Sequence, residues 1–310
     1  SALALYHFLK AKGLEVDVVL PNAFPDFLKW MPGSDQILIA ESNKVKVKKI
    51  VKEADFLFIT DMNALHRSGK ILENAIATSN AFKVLVDHHL APDIEVDAML
   101  STVKTSSSCE LVYRLLFDDL NEKDALSTEI ATCLYVGIIT DTGSLTYACN
   151  DPKTYGILCK LIRKGIDGEA IHRQIYDNYE ESRIHLLGLS LQRMRILKAY
   201  ATAYIYLSAQ DLIDNNYKIG DTEGFVNYGL TIRTVQFAAI FIQRGNRVRI
   251  SFRSKGHFDV NQFARKHFNG GGHRNASAAY HSDTLENTMA YFESILPQYQ
   301  EELLKPYQSE

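Results

Sequence analysis

The chain has 310 residues, 46% of them hydrophobic and 23% charged, and a formal net charge of −3. That length exceeds what one core holds comfortably and predicts two domains. The composition excludes a disordered chain, and the slightly negative balance excludes a global basic field for long nucleic acid. In chain order, a helix is expected over 2–12, stopped by Gly13, then strands in "EVDVVL" and "QILIA". A helix follows in "NKVKVKKIVKEA", then a strand "DFLFIT" ending at Asp61, a helix over 70–80, and a strand "FKVLVD" running into two histidines. Apolar runs alternating with helical patterns predict βαβ units and a parallel sheet covered on both faces.

The middle of the chain reads as helical. "SSSCELVYRLLF" carries Ser107 three residues before Glu110, a capping-box pattern. "TEIATCLYVGIIT" is an apolar helix that ends near Asp141 and Gly143. "NDPKTYGILCKLIRKG" offers Asp151 as N-cap, Pro152 at the first helical position and Gly165 as a stop. "SRIHLLGLSLQRMRI" is a further helix, read as the bridge between domains. From about residue 198 strands and helices mix, and "GNR" between two β-rich runs marks a hairpin turning at Gly245–Asn246. The expected fold class is α/β: a parallel-sheet domain over 1–185 that includes linker helices, and a smaller α+β domain over 198–310. Cys109, Cys133, Cys149 and Cys159 are scattered without a CxxC pair, which predicts reduced thiols and a cytoplasmic protein. No signal peptide and no membrane span is expected.

Ligands of open α/β sheets bind beyond the carboxyl ends of the strands. Two of the expected strands end in acids, Asp61 and Asp87, and His88 and His89 follow at once. Asp141, in "IITDTGSLTY", is a third acid. Taken alone, each has an ordinary reading: Asp61 as a turn or helix cap, the histidines as solvated loop residues, Asp141 as a helix-end cap. Together they deliver oxygen and nitrogen donors from three segments to one edge. That donor set suits a pair of manganese or magnesium ions more than structural zinc, and such a pair clamps a phosphoryl group and activates water.

"VDHH", then "TDTGS", then "GGGH" in that order resembles the DHH phosphoesterase family, with its associated substrate-binding domain in "SFRSKGHFDVNQFARKHFNGGGHRNASA". The nano-RNase and 3',5'-bisphosphonucleoside (pAp) phosphatase branch, related to RecJ exonucleases, resembles it most. The resemblance implies Asp61, His88 and Asp141 as ligands of two manganese ions, with magnesium as a substitute. It implies His89 beside the phosphate or a water on the metals, and Asp87 orienting a histidine. It implies that Arg253 and His273 hold substrate phosphate in the second domain, and that the active site is a cleft between domains. The reaction implied is hydrolysis of short RNA oligonucleotides or pAp, with no membrane role and a homodimer as one assembly open to it. A cyclic-dinucleotide phosphodiesterase and an exopolyphosphatase-like hydrolase share the pattern. The family's first motif, one His and two Asp on a strand, would precede Ser1. It is expected upstream; a non-catalytic nucleotide-binding protein is the alternative.

In the second domain, Gly270, Gly271 and Gly272 precede His273 and what reads as a helix start, where glycines and free N–H groups admit a phosphate. A plain turn is the competing reading. Arg253 follows the strand "VRISF", and its planar fork suits bidentate phosphate binding; an edge-strand surface charge is the alternative. Trp30 reads as a packing anchor. Arg67 reads equally as a site contact or a helix cap.

Overall fold

The computed structural model describes residues 1–305. The chain divides into two compact units, the first from Ser1 to Asn178 and the second from Tyr179 onward. In the first unit the parallel strands are distributed over two sheets. Val18–Leu20 pairs with Ile37–Ile39, and Phe56–Thr60, Phe82–Asp87 and Ala98–Ser101 pair in that order. The last of these strands, Ala-Met-Leu-Ser, holds no β-branched or aromatic residue, and no strand is expected there from sequence.

Alternation along Phe82–Asp87 sends neighbouring residues to opposite layers. Leu85 packs with Ile59 and with Val47, Val51, Leu72 and Ile76 of helices Lys44–Glu53 and Gly69–Ala77. Val86 points the other way, into a core built on Leu111, Val112, Leu134 and Ile138. Both residues are fully buried, which is why this strand reads as a continuous apolar run. Trp30 packs against the same core, as expected of an anchor.

The centre of that core is the helix Thr128–Asp141, buried along most of its length. It lies unusually close to the helix Ser108–Tyr113. A Cβ on Gly137 would fall 2.0 Å from the Cys109 sulfur, so only glycine permits the crossing. Ser107 caps the second helix by accepting a hydrogen bond from the Glu110 amide. Only half of the expected capping box forms. The Glu110 carboxylate accepts instead from the Ser106 amide and hydroxyl and from Thr154, all buried. Asp151 and Pro152 open the helix Pro152–Arg163 as the sequence predicts.

The second unit is a six-stranded mixed sheet. Its order runs Asn269–His273, Ala276–His281, Arg247–Ser254, Phe237–Arg244, Thr202–Leu207, Arg195–Leu197. Only the pairing of Thr202–Leu207 with Phe237–Arg244 is parallel. The Gly245–Asn246 hairpin forms, with Gly245 at φ +57°. Phe237 and Phe241 face an aromatic core with Phe252, Phe263 and Phe292; Ala238, Ile240 and Ile242 face a second core that includes Leu186. The helix Glu181–Gln192 therefore packs inside this unit.

One expectation fails here. No helix starts after His273. Residues 269–281 form a β-hairpin, with Gly270 opposite Ala279 and Gly272 opposite Ser277. The glycines serve strand contact: a Cβ on either would lie 2.5 Å from a backbone oxygen of the partner strand. Val260–His267 is the helix beside this hairpin, capped by Asp259.

Candidate metal centre

Three chain segments of the first unit meet at the carboxyl ends of its parallel strands. Asp61 directly follows the strand Phe56–Thr60 and turns the chain with φ +61°. Positive φ in a non-glycine residue carries strain, which Asp tolerates better than most. Two contacts hold it: its amide donates to Val86 O at 3.0 Å, and its Oδ1 accepts from Ser108 Oγ at 2.9 Å. Asp87 closes its own strand and is fully buried. Asp141 is the last residue of the Thr128–Asp141 helix, and Gly143, Ser144 and Leu145 then turn left-handed in succession.

His88 Nε2 lies 3.0 Å from Asp141 Oδ2 and 3.5 Å from Asp61 Oδ1. The imidazole is only 7% exposed, while the two carboxylates are 37% and 53% exposed and so face outward. Burial works against a charged His88, but the carboxylates of Asp141, Asp61 and Asp87 outweigh it and raise its pKa above the ordinary histidine value.

His89 is held differently. Asp87 Oδ1 is 2.7 Å from its Nδ1, and Asp87 Oδ2 accepts its amide at 3.0 Å. Burial would push the Asp87 pKa up; the hydrogen bonds from His89 win and hold it below the usual carboxylate range. An ionised Asp87 accepts only, so His89 carries its hydrogen on Nδ1 and presents Nε2. The two rings meet edge to face, 5.0 Å between centroids. Asp61, Asp87 and His89 also offer ligand atoms within 4.8 Å of one another.

The donor set fits a hard divalent cation. Every group is carboxylate or imidazole, His88 lies within 3.5 Å of both Asp61 and Asp141, and no thiolate is among them. Asp61, His88 and Asp141, all singled out by sequence, come together here. So do Asp87 and His89.

Ser108 is the residue the sequence did not reveal. It stands beside the cap Ser107 in a serine run, and only the close helix crossing at Gly137 and the left-handed Asp61 bring it to the carboxylate. Arg67 donates to Asn63 Oδ1 at 2.9 Å, and Asn63 donates to Leu90 O at 2.8 Å, bracing the loop after His89. Arg67 is thus no helix cap.

In the second unit, Arg253 is paired across the ladder with Ala276, and Ala276 with His273. Directly paired residues share a sheet face, so Arg253 and His273 stand on one face with a methyl group between them. Gly271 belongs to that face as well, opposite Ala278, while Gly270 and Gly272 belong to the other. Among the described residues, no helix is long and apolar enough to cross a membrane.

Comparison with known proteins accounts for both units. Residues 1–138 match the N-terminal domain of the DHH family, and residues 198–298 match the DHHA1 domain. A Streptococcus mutans protein called Probable bifunctional oligoribonuclease and PAP phosphatase is 32% identical over 213 residues, 68% of this chain and 66% of that protein. An exopolyphosphatase-related protein from Bacteroides fragilis superimposes with a TM-score of 0.92 at 40% identity, covering 98% of this chain and 88% of that one. RecJ from Thermus thermophilus, solved with Mn2+, shares the fold at a TM-score of 0.56 and 13% identity, covering 99% of this chain and 50% of that one. With both domain models matched in order and a relative aligned along nearly the whole chain, this protein belongs to the DHH family and carries a DHHA1 domain.

Proposed function

We propose that the protein is a metal-dependent hydrolase of phosphoester bonds, acting on short RNA oligonucleotides and on pAp. The observation that carries this reading is the convergence of His88 Nε2 on the Asp141 and Asp61 carboxylates, at 3.0 and 3.5 Å, beside a histidine fixed by a buried aspartate. In this reading Asp61, His88 and Asp141 hold two divalent cations, manganese or magnesium. Bound there, the cations supply positive charge to the phosphoryl oxygens and lower the pKa of water.

The chain's own groups do the rest. Ser108 fixes which way the Asp61 carboxylate faces. Asp87 holds His89 with the Nε2 lone pair presented, so that Nε2 takes up a proton, and the imidazolium that Asp87 stabilises then donates to a phosphoryl oxygen or passes the proton to the leaving group. Arg253 and His273 take a substrate phosphate through charge-assisted hydrogen bonds. The Streptococcus mutans relative, whose name gives both activities, supports the choice of substrates. All four cysteines are free thiols, which suits the cytoplasm where such substrates arise.

The test is hydrolysis of pAp and of a 5'-labelled RNA dinucleotide, with manganese and with EDTA. Manganese-dependent release of phosphate and mononucleotide is expected. Folded protein that turns over neither substrate would end this reading. The name of the Bacteroides fragilis relative favours a second one, hydrolysis of polyphosphate. Inorganic polyphosphate in the same assay separates the two.

A further inference from the structure

The strand Arg247–Ser254 alternates strictly. Val248, Ile250 and Phe252 are fully buried, and Arg247, Arg249, Ser251 and Arg253 stand on the other face. Register fixes what lies beside them. The row of Arg253 continues through Ala276 to His273; the row of Ser251 continues through Ala278 to Gly271; the row of Arg249 continues through Tyr280 to Asn269. The middle row holds nothing larger than a serine. The face is therefore a shallow trough floored by small residues, with Arg253 and His273 at one end, Arg249 and Tyr280 at the other, and Asn261 and Arg265 of the helix Val260–His267 bordering it at Gly271.

The far end is a built feature. The Arg247 guanidinium sits 4.4 Å from the Tyr280 ring centroid, and Tyr280 remains 40% exposed. An arginine on one face of an aromatic ring fixes the ring as a platform. Glu223 interacts electrostatically with Arg249, so this end carries less net charge than its two arginines suggest. The two ends are four residues apart, about 14 Å along the strand. A single nucleotide does not bridge that distance; an oligonucleotide stretched along the strand does.

We propose that Tyr280, with Arg247 and Arg249, forms a second nucleotide subsite for RNA oligomers, stacking a base at a distance from the phosphate held by Arg253. This rests on the reading of the protein as a hydrolase of short RNA. It adds a prediction which that reading lacks: affinity rises with oligomer length. A tyrosine that only covers the hairpin edge gives no length dependence.

The experiment is fluorescence anisotropy with 5'-fluorescein RNA dinucleotide and pentanucleotide in EDTA, using the parent protein, Tyr280→Ala and Tyr280→Phe. The parent should bind the pentanucleotide about five-fold more tightly than the dinucleotide, or better, as base stacking on an aromatic ring allows. Tyr280→Ala should erase that gain and Tyr280→Phe should keep it. Equal affinity of the parent for both lengths, or a gain that survives in Tyr280→Ala, overturns the subsite. If the parent hydrolyses RNA with manganese yet shows no length gain, only the subsite falls. If it neither binds nor hydrolyses RNA or pAp, the hydrolase reading falls with it.

Discussion

The two units build polar sites by opposite means. In the first, functional side chains sit where strands and a helix end, and each comes from a different segment: Asp61, Asp87 to His89, and Asp141. The imidazoles are buried and the outer carboxylates exposed, so the cluster is rigid at its base and open at its rim. In the second, the candidate groups lie across the three strands nearest one edge of the sheet, set by alternation and by cross-strand register, over a floor of small residues. Chain ends converge charges of both signs on a point, which suits a cation. A sheet face spreads cations along a line, which suits a phosphate chain.

That contrast can be broken from the stability side first. Phe252 lies behind the Arg253 face, fully buried among Phe237, Phe263 and Phe292. Phe252→Ala should cost about 3–5 kcal/mol of the second unit's stability. Urea unfolding followed with manganese titration would show whether the candidate metal centre of the first unit persists when the second loosens. Loss of both together would mean that the units do not fold separately.

Asp141→Ala comes next. It removes a carboxylate that faces His88, and manganese-dependent turnover should fall by at least about 100-fold, the upper end for groups that merely orient ligands. The thermal melt should stay close to the parent's. Turnover within a few-fold of the parent would remove Asp141 from the centre.

Arg253→Ala sharpens the other half. A hydrogen bond to a charged partner contributes about 1.5–3 kcal/mol, so KM should rise about ten-fold or more while kcat moves little. A fall in kcat at constant KM would move Arg253 from holding the substrate to the reacting atoms. The smallest effect is expected of Ser108→Ala. It leaves every candidate ligand in place but frees the Asp61 carboxylate, and manganese affinity should weaken by about ten-fold. Isothermal titration reads this directly, and Ser108→Thr should restore part of it. Unchanged affinity would make the Ser108 contact incidental.

Much of the first site was readable from sequence because its donors are neighbours or stand at element ends. A strand's end is marked by the last apolar residue, and Asp61, Asp87 and Asp141 each follow such a run. The linear code could not show Ser108, because its contact depends on a helix crossing that Gly137 allows and on a left-handed Asp61. The second site was misread locally. "GGGH" looks like a loop before a helix when taken alone, since glycine is read as freedom. Here glycine is demanded by a partner strand 2.5 Å from where a Cβ would be.

By itself, then, the sequence determined the fold class, the alternation of strands and helices, and the identities of the candidate ligands, because hydrophobic period and chain punctuation are local properties. Only the tertiary structure decided that the parallel strands lie in two sheets, that His88 meets Asp141 and Asp61 while His89 meets Asp87, and that Arg253, His273 and Tyr280 share one face. Those outcomes depend on register and on close packing between segments far apart in the chain. Neither is written in any one stretch of residues.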